Sequence, residues 1–227
     1  MGSRVSLFIG LLAVVGSGFL GATLALVTAY YKGLTDLLVV VTSDGIQSMP
    51  GLLVYILLSV VLASTPVANV YNGALILVLI FVGTGWPQMW RALRGPALQV
   101  AEEEWIDAAK SYGQRPSTTM KKHMAPYILG YLLVYGSLTL GGIIISVAAL
   151  SFLGLGITPP TPEWGRMVNS GRSYVATYSW HIATVPGFMV VLVVTGFNAF
   201  GDGVRDAIDP QSEGAEGDAA AAAGGGG

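Results

Sequence analysis

Apolar residues run along this chain in long unbroken blocks, and the charged positions are confined to the gaps between them. No Asp, Glu, Lys or Arg falls within 5–31, 45–90, 123–162 or 173–201. A charge at the centre of a bilayer costs roughly 2.5–3.5 kcal/mol on the insertion scale, and a helix needs about 20 apolar residues to cross. The charge-free blocks therefore predict membrane-spanning helices. The block 45–90 has room for two, and TPVANVYN at 65–72 divides it. The pattern predicts helices near 5–30, 48–65, 71–92, 128–152 and 181–201. The fold class is all-α and polytopic, with about five spans.

An odd number of spans puts the two ends on opposite sides. Lys and Arg choose the orientation. With the C-terminus inside, the inner segments hold Lys32, Arg91, Arg94, Lys110, Arg115, Lys121, Lys122 and Arg205, and the outer ones hold Arg4, Arg166 and Arg172. That excess places 93–126 in the cytoplasm. The opening MGSRVSLFIGLLAVVGSGFLGATLALVTAYY is a poor signal peptide, because its apolar run is too long and no small-residue cleavage site follows.

Residues 32–50 are amphipathic, with Asp36 and Asp44 on nearly the same helix face. A straight helix from Asp36 to Thr65 would be about 45 Å long at ~1.5 Å per residue, longer than a ~30 Å hydrocarbon core. Its first part is expected to lie in the cytoplasmic interface or to line a polar cavity, with a bend near Pro50-Gly51. The segment 153–180 reads as an outer loop. Pro159, Pro160 and Pro162 favour extended backbone, and Trp164, Tyr174, Tyr178 and Trp180 suit the membrane boundary. The tail 211–227, QSEGAEGDAAAAAGGGG, reads as a disordered, acidic Ala/Gly segment. The chain thus divides into a membrane domain, 1–210, and a tail, 211–227.

Composition narrows the function classes. Hydrophobic residues make up 53% and charged residues 11%, against about 25% charged in soluble domains. The net charge of −2 offers no basic surface for nucleic acid. With no cysteine, thiol catalysis and Cys-based metal sites are excluded. His123 and His181 lie in different segments, which leaves no metal site in view. Gly16-Ser17-Gly18-Phe19-Leu20-Gly21 matches G-x-G-x-x-G but sits inside a span. A nucleotide site needs a preceding strand, so these small residues read as a close helix–helix contact. No G-x-x-x-x-G-K-[ST] occurs, so the chain itself should not bind ATP through a P-loop.

The exception to the apolar pattern is EEEWIDAAKSYGQRPSTTMKKHMAP, residues 102–126. Residues 102–111 can form a helix with Trp105, Ala108 and Ala109 towards one side. Gly113 allows a left-handed turn. Pro116 suits the start of a second short helix, expected to run to His123 and to end at Pro126. On residue chemistry alone this is either a compact knob that another surface can approach or an ordinary solvated loop.

The same stretch resembles the EAA loop of binding-protein-dependent ABC importers. Asp107, Ala108, Ala109, Gly113, His123 and Pro126 match that pattern. Asp107 stands where the family commonly has Glu, so the carboxylate is kept but shortened. LSFLGLGITPPTPEWGRMVNSGRSY (150–174) and FNAFGDGVRDAIDP (197–210) resemble the inner-membrane permeases of dipeptide, oligopeptide and nickel importers. The opening resembles their second spanning helix, and the likeness covers residues 3–211. It implies a type I importer transmembrane domain, which in the family has six spans.

The resemblance also implies roles. Glu104, Asp107, Ala108, Ala109, Gly113, His123 and Pro126 would couple to separate ATPase subunits, with no catalytic role for His123. Val147, Ala148, Ser151 and Phe152 would lie where such permeases place a gate. Pro159, Pro160, Glu163 and Trp164 would meet an extracytoplasmic solute-binding protein. Expected partners are two ATPase subunits, a second, related permease and that binding protein. The chain would bind no cofactor or metal, and ATP would be used by its partners. It would lie in the cytoplasmic (inner) membrane with its C-terminus inside, carrying dipeptides, oligopeptides, nickel or sugars. The missing first helix leads us to expect a late start or a truncated chain. Rival readings are a self-contained carrier or channel, an inactive truncated permease, and an intramembrane enzyme. A carrier usually shows paired repeats or mid-membrane ionisable groups, which are absent here. An enzyme needs convergent catalytic groups, and the charge-free spans and lack of Cys or HExxH argue against them.

Overall fold

The computed structural model describes residues 2–208. The predicted tail, 211–227, lies outside them. Among the described residues the architecture is helical throughout. The principal helices are α1 (Gly2–Tyr31), α2 (Gly33–Gln47), α3 (Gly51–Ala63), α4 (Ala74–Ala101), α5 (Glu104–Ser111), α6 (Pro116–Thr119), α7 (Ala125–Phe152), α8 (Trp164–Gly171) and α9 (His181–Ile208). Among the described residues four stretches are long and apolar enough to cross a membrane, and α2 with α3 makes a fifth when counted as one broken span. The two halves of that span meet at 87°. Pro50 caps α3 in an extended conformation, which is the bend expected at Pro50-Gly51.

The bundle is built around α1 and α4. One face of α1 is a row of small residues, Ser6, Gly10, Ala13, Ser17, Gly21, Ala25 and Ala29, all buried. Small side chains let two helix backbones approach. A Cβ on Gly21 would lie 2.6 Å from Met89 Cβ and 2.8 Å from Trp90 N. Thus the Gly16–Gly21 motif serves helix packing, as its position in a span predicts. Trp90 is buried across the same seam, and its indole N–H donates to Thr28 Oγ1 at 3.1 Å. Large apolar side chains remain exposed along α3 and α9, as lipid or a neighbouring subunit requires.

Residues 66–73 break the chain between α3 and α4 as predicted. Tyr71 (φ 49°), Asn72 (φ 55°) and Gly73 (φ 91°) are consecutive left-handed residues. Asn72 locks this turn to the outer loop: its carbonyl accepts from Thr158 N at 3.0 Å, and its amide donates to Thr161 Oγ1 at 2.8 Å.

Several features differ from the sequence expectation, and among them α9 runs to Ile208 rather than to 201. Helix α4 does not end near 92 but runs to Ala101. The charges that suggested an end, Arg91 and Arg94, are paired with Asp44 and Asp36 on α2. The second helix of the charged loop does not stop at Pro126. A π-helical turn, Met120–Met124, joins α6 to α7, and the Ala125 N–H donates to Met120 O. This widened turn carries the helix past the proline, so 116–152 is one continuous helix. Finally, the outer loop is not extended throughout, since it contains α8. Trp164, expected at the membrane boundary, is buried against α7 instead.

Candidate functional site

The charged loop is an ordered knob at one end of the bundle. Glu103 turns the chain out of α4 with extended backbone, and α5 follows with Glu104 and Asp107 in its first turn and Lys110 in its last. Both placements suit the helix dipole. Ile106 is the one α5 side chain that is buried, with no exposed surface. It packs into a cluster with Leu93, Ala97 and Val100 of α4 and Met124 and Ile128 at the α7 end. At the periphery, Lys110 Nζ lies 2.9 Å from Asp107 Oδ1 and 5.4 Å from the Tyr30 ring centre. Lys32 Nζ meets Glu102 Oε1 at 3.1 Å. The knob is therefore fixed to α1, α4 and α7.

Gly113 ends α5. Its φ is +75°. The Gly113 N–H donates to Lys110 O at 2.9 Å and the Gln114 N–H to Ala109 O at 3.1 Å. These are the two bonds of a Schellman cap, whose left-handed position favours glycine. Pro116 then starts α6 as predicted, and Thr119 Oγ1 lies 3.2 Å from Gln114 Oε1 across the turn.

The resulting surface has a definite chemistry. Trp105, Ala108 and Tyr112 share one side of α5 by helical spacing, and all three are exposed, Tyr112 by 92%. Glu104 and Asp107 are exposed beside them, and Ala109 is half-buried. His123 reaches this surface from the π turn, with its ring centre 5.8 Å from that of Trp105. Pro126 is exposed at the start of α7. The loop thus presents a small-residue centre between two aromatic rings with an acidic edge. Tyr112 was not singled out from the sequence. Its place one residue before the turn glycine, seven after Trp105, is the signal that could have found it.

The other predicted residues fall into two groups. Val147 is fully buried among Ile9, Leu77, Phe81 and Leu150. Ala148 backs onto Gly165 of α8, where an added Cβ would overlap its carbonyl. Ser151 is buried and packs against Gly156. Of the four gate candidates only Phe152 is exposed. In the loop 153–180, Pro159 and Pro160 are exposed. Glu163 is not: it has no accessible surface, and its carboxylate caps α8. Oε1 accepts from Gly165 N at 3.0 Å and from Ser6 Oγ at 3.1 Å, and Oε2 accepts from Arg166 N at 3.0 Å. Glu163, expected at the contact with a binding protein, instead ties the start of α1 to α8.

Comparison with known proteins adds identity to this geometry. The family described as "Binding-protein-dependent transport system inner membrane component" matches residues 18–213. The dipeptide transport system permease protein DppC of Alkalihalophilus pseudofirmus is 35% identical over 210 residues, covering 92% of this chain and 66% of that protein. The oligopeptide transport system permease protein OppC of Bacillus subtilis is 34% identical, with 93% and 66% covered. The glutathione transport system permease protein GsiD of Escherichia coli O157:H7 is 37% identical, with 94% and 68% covered. The chain thus spans about two thirds of the length of these relatives. Among solved structures, an inward-facing MetNI methionine ABC transporter superposes with a TM-score of 0.66 at 19% identity, covering 92% of this chain and 96% of that one. An amino acid ABC transporter gives 0.58 at 17%, covering 87% and 89%. These two show the fold.

Proposed function

Since the chain belongs to the family of binding-protein-dependent transport system inner membrane components, we infer that it is the permease subunit of an ATP-driven importer. Its solute is a peptide or a small molecule of similar kind. The dipeptide, oligopeptide and glutathione permeases among its relatives support that class. The chain lies in the cytoplasmic membrane with its C-terminus inside, pairs with a second permease, and receives solute from a binding protein at its outer face. Pro159 and Pro160 are the accessible part of that outer face, and Glu163 and Trp164 hold the loop that presents them. ATP is hydrolysed by two separate subunits.

The observation that carries this reading is the exposed face of α5. A helix of only eight residues is ordered by a buried Ile106 and a Schellman cap while Trp105, Ala108 and Tyr112 stay uncovered. A fixed, unpartnered knob of this kind suits a groove on an ATPase, which on closing would push α5 and, through Ile106, α4 and α7. A ligand or partner shifts such an equilibrium only by contacting the two states differently, and a rigid knob provides that difference.

The test is affinity capture of the tagged chain from gently solubilised native membranes, with mass spectrometry of what accompanies it. ATPase subunits and a second permease are expected. Ala108→Trp, which enlarges the exposed face without touching the core, should abolish recovery of the ATPases and leave the second permease in place. Recovery of no ATPase, or recovery indifferent to Ala108→Trp, would overturn the reading.

A further inference from the structure

One face of α4 is polar far into the membrane. Glu102, Arg91, Gln88 and Thr84 recur at helical spacing along it, with Arg94 at its flank. The distance from Thr84 to Glu102 is ~27 Å at ~1.5 Å per residue. Thr84 itself lies ~15 Å from the outer end of α4, near the middle of a ~30 Å core. The composition of the stripe changes with depth. At the inner end its charges are matched by α1–α2: Lys32 with Glu102, Asp36 with Arg94 and Asp44 with Arg91. Arg94 grips Asp36 through two bonds, Nε to Oδ1 at 2.9 Å and Nη2 to Oδ2 at 2.6 Å. Deeper in, ion pairs give way to uncharged groups. Gln47 ends α2, Gln88 and Thr84 face it, and Tyr55 comes from α3, around a cavity of about 200 Å³ at the 87° break. Above them the Tyr55 and Phe81 rings meet edge to face, 5.0 Å between centres, and Phe81 is buried in the outer apolar cluster.

Gln47 and Gln88 are exposed and are not turned into the bundle. Gln47 Nε2 donates to Ser43 Oγ at 2.9 Å, whereas the Gln88 amide has no protein partner among the described residues; an amide so left in hydrocarbon is strongly disfavoured, and polar groups at this depth usually face a bundle interior or a water-filled cavity. Broken helices in transporters likewise occur where they line such a cavity. We propose that Gln47, Thr84 and Gln88, roofed by Tyr55 and Phe81, form an uncharged hydrogen-bonding waist in the solute pathway. The waist takes solutes through amide and hydroxyl groups, and the ion pairs below it keep the inner vestibule electrically matched. This rests on the permease reading for its claim that a solute passes, and on the fold alone for its claim that water reaches these side chains.

The chain has no cysteine, so single replacements report directly. Q47C, T84C and Q88C are placed in the complete complex in inverted native vesicles. Each is treated with trimethylammonium-ethyl and sulfonatoethyl methanethiosulfonate. L79C on α4 and L133C on α7, both exposed on apolar surface, are the references. The waist positions should react at least tenfold faster than the references, and the cationic and anionic reagents should differ by no more than about threefold. Reaction as slow as at L79C and L133C would overturn the aqueous waist. A tenfold preference for one sign of charge would overturn its uncharged character. If one variant fails to assemble, the others on the facing walls still decide the matter. Failure of the permease reading would appear separately, as absence of ATPase subunits from the purified complex.

Discussion

Ile106→Ala should release the knob while leaving the bundle folded. Ile106 is the only buried side chain of α5 and has no accessible surface. Truncating a fully buried Ile to Ala costs about 2–5 kcal/mol. A helix of this length has almost no stability of its own, so the loss falls on local detachment, which proteins undergo in separate cooperative units. At 1.4 kcal/mol per tenfold change, the detached population should rise from about 30-fold to a few thousand-fold. The assay is amide hydrogen exchange on detergent-purified protein, read together with trypsin cleavage after Lys110, since the bond after Arg115 leads into Pro116 and resists trypsin. Exchange across 104–113 should accelerate strongly, cleavage should follow, and α1 and the membrane part of α4 should keep their protection. Ile106→Leu should recover most of the wild-type behaviour. Unchanged exchange in 104–113, or an equal loss throughout α1 and α4, would refute the reasoning that Ile106 holds this element and nothing else.

The remaining predictions concern the cap, the buried carboxylate and one close helix approach. Gly113→Ala meets no steric obstacle, since nothing lies within 4 Å of the added Cβ, and should cost about 1–2 kcal/mol from the left-handed backbone alone. Trypsin cleavage after Lys110 should quicken accordingly, and less so for Gly113→Asn. Glu163→Gln replaces one acceptor oxygen with a donor inside a fully bonded buried site and should cost about 1–3 kcal/mol, read as a lower thermal midpoint. Ser6→Ala should cost less, because the two backbone bonds to Glu163 survive. Gly165→Ala would drive a Cβ into the Ala148 carbonyl and should destabilise by about 1–3 kcal/mol or more. Gly142→Ala on α7 meets nothing within 4 Å and should leave the thermal midpoint level or slightly raised.

What the sequence revealed and what it concealed divide along a physical line. The spans, the break at 66–73 and the bend at Pro50 were legible because each follows from local cost: charge in hydrocarbon, turn-forming residues, or a proline. Gly113 and Pro116 were legible for the same reason, as each fixes backbone at its own position. Features that depend on a partner elsewhere in the chain were not. Arg91 and Arg94 looked like the end of a span because their carboxylates stand about fifty residues earlier, on α2. Glu163, beside a proline in a polar stretch, looked solvent-facing. Only the docking of α8 against the start of α1 brings Ser6 to it. Ile106 is one apolar residue in a charged run, and nothing nearby says that it, rather than Trp105, points inward.

The π turn at Met120–Met124 has a consequence for how the loop is aimed. It holds one residue more than an ordinary helical turn between the knob and the membrane helix. A chain shortened by one residue there would return to regular helical spacing and bring the Pro126 ring against a carbonyl it now clears. The helix would then bend at the membrane surface, and α5 would leave the bundle on a new bearing. In lineages of such chains, a single codon gained or lost in this stretch would steer the knob more than any substitution upon it.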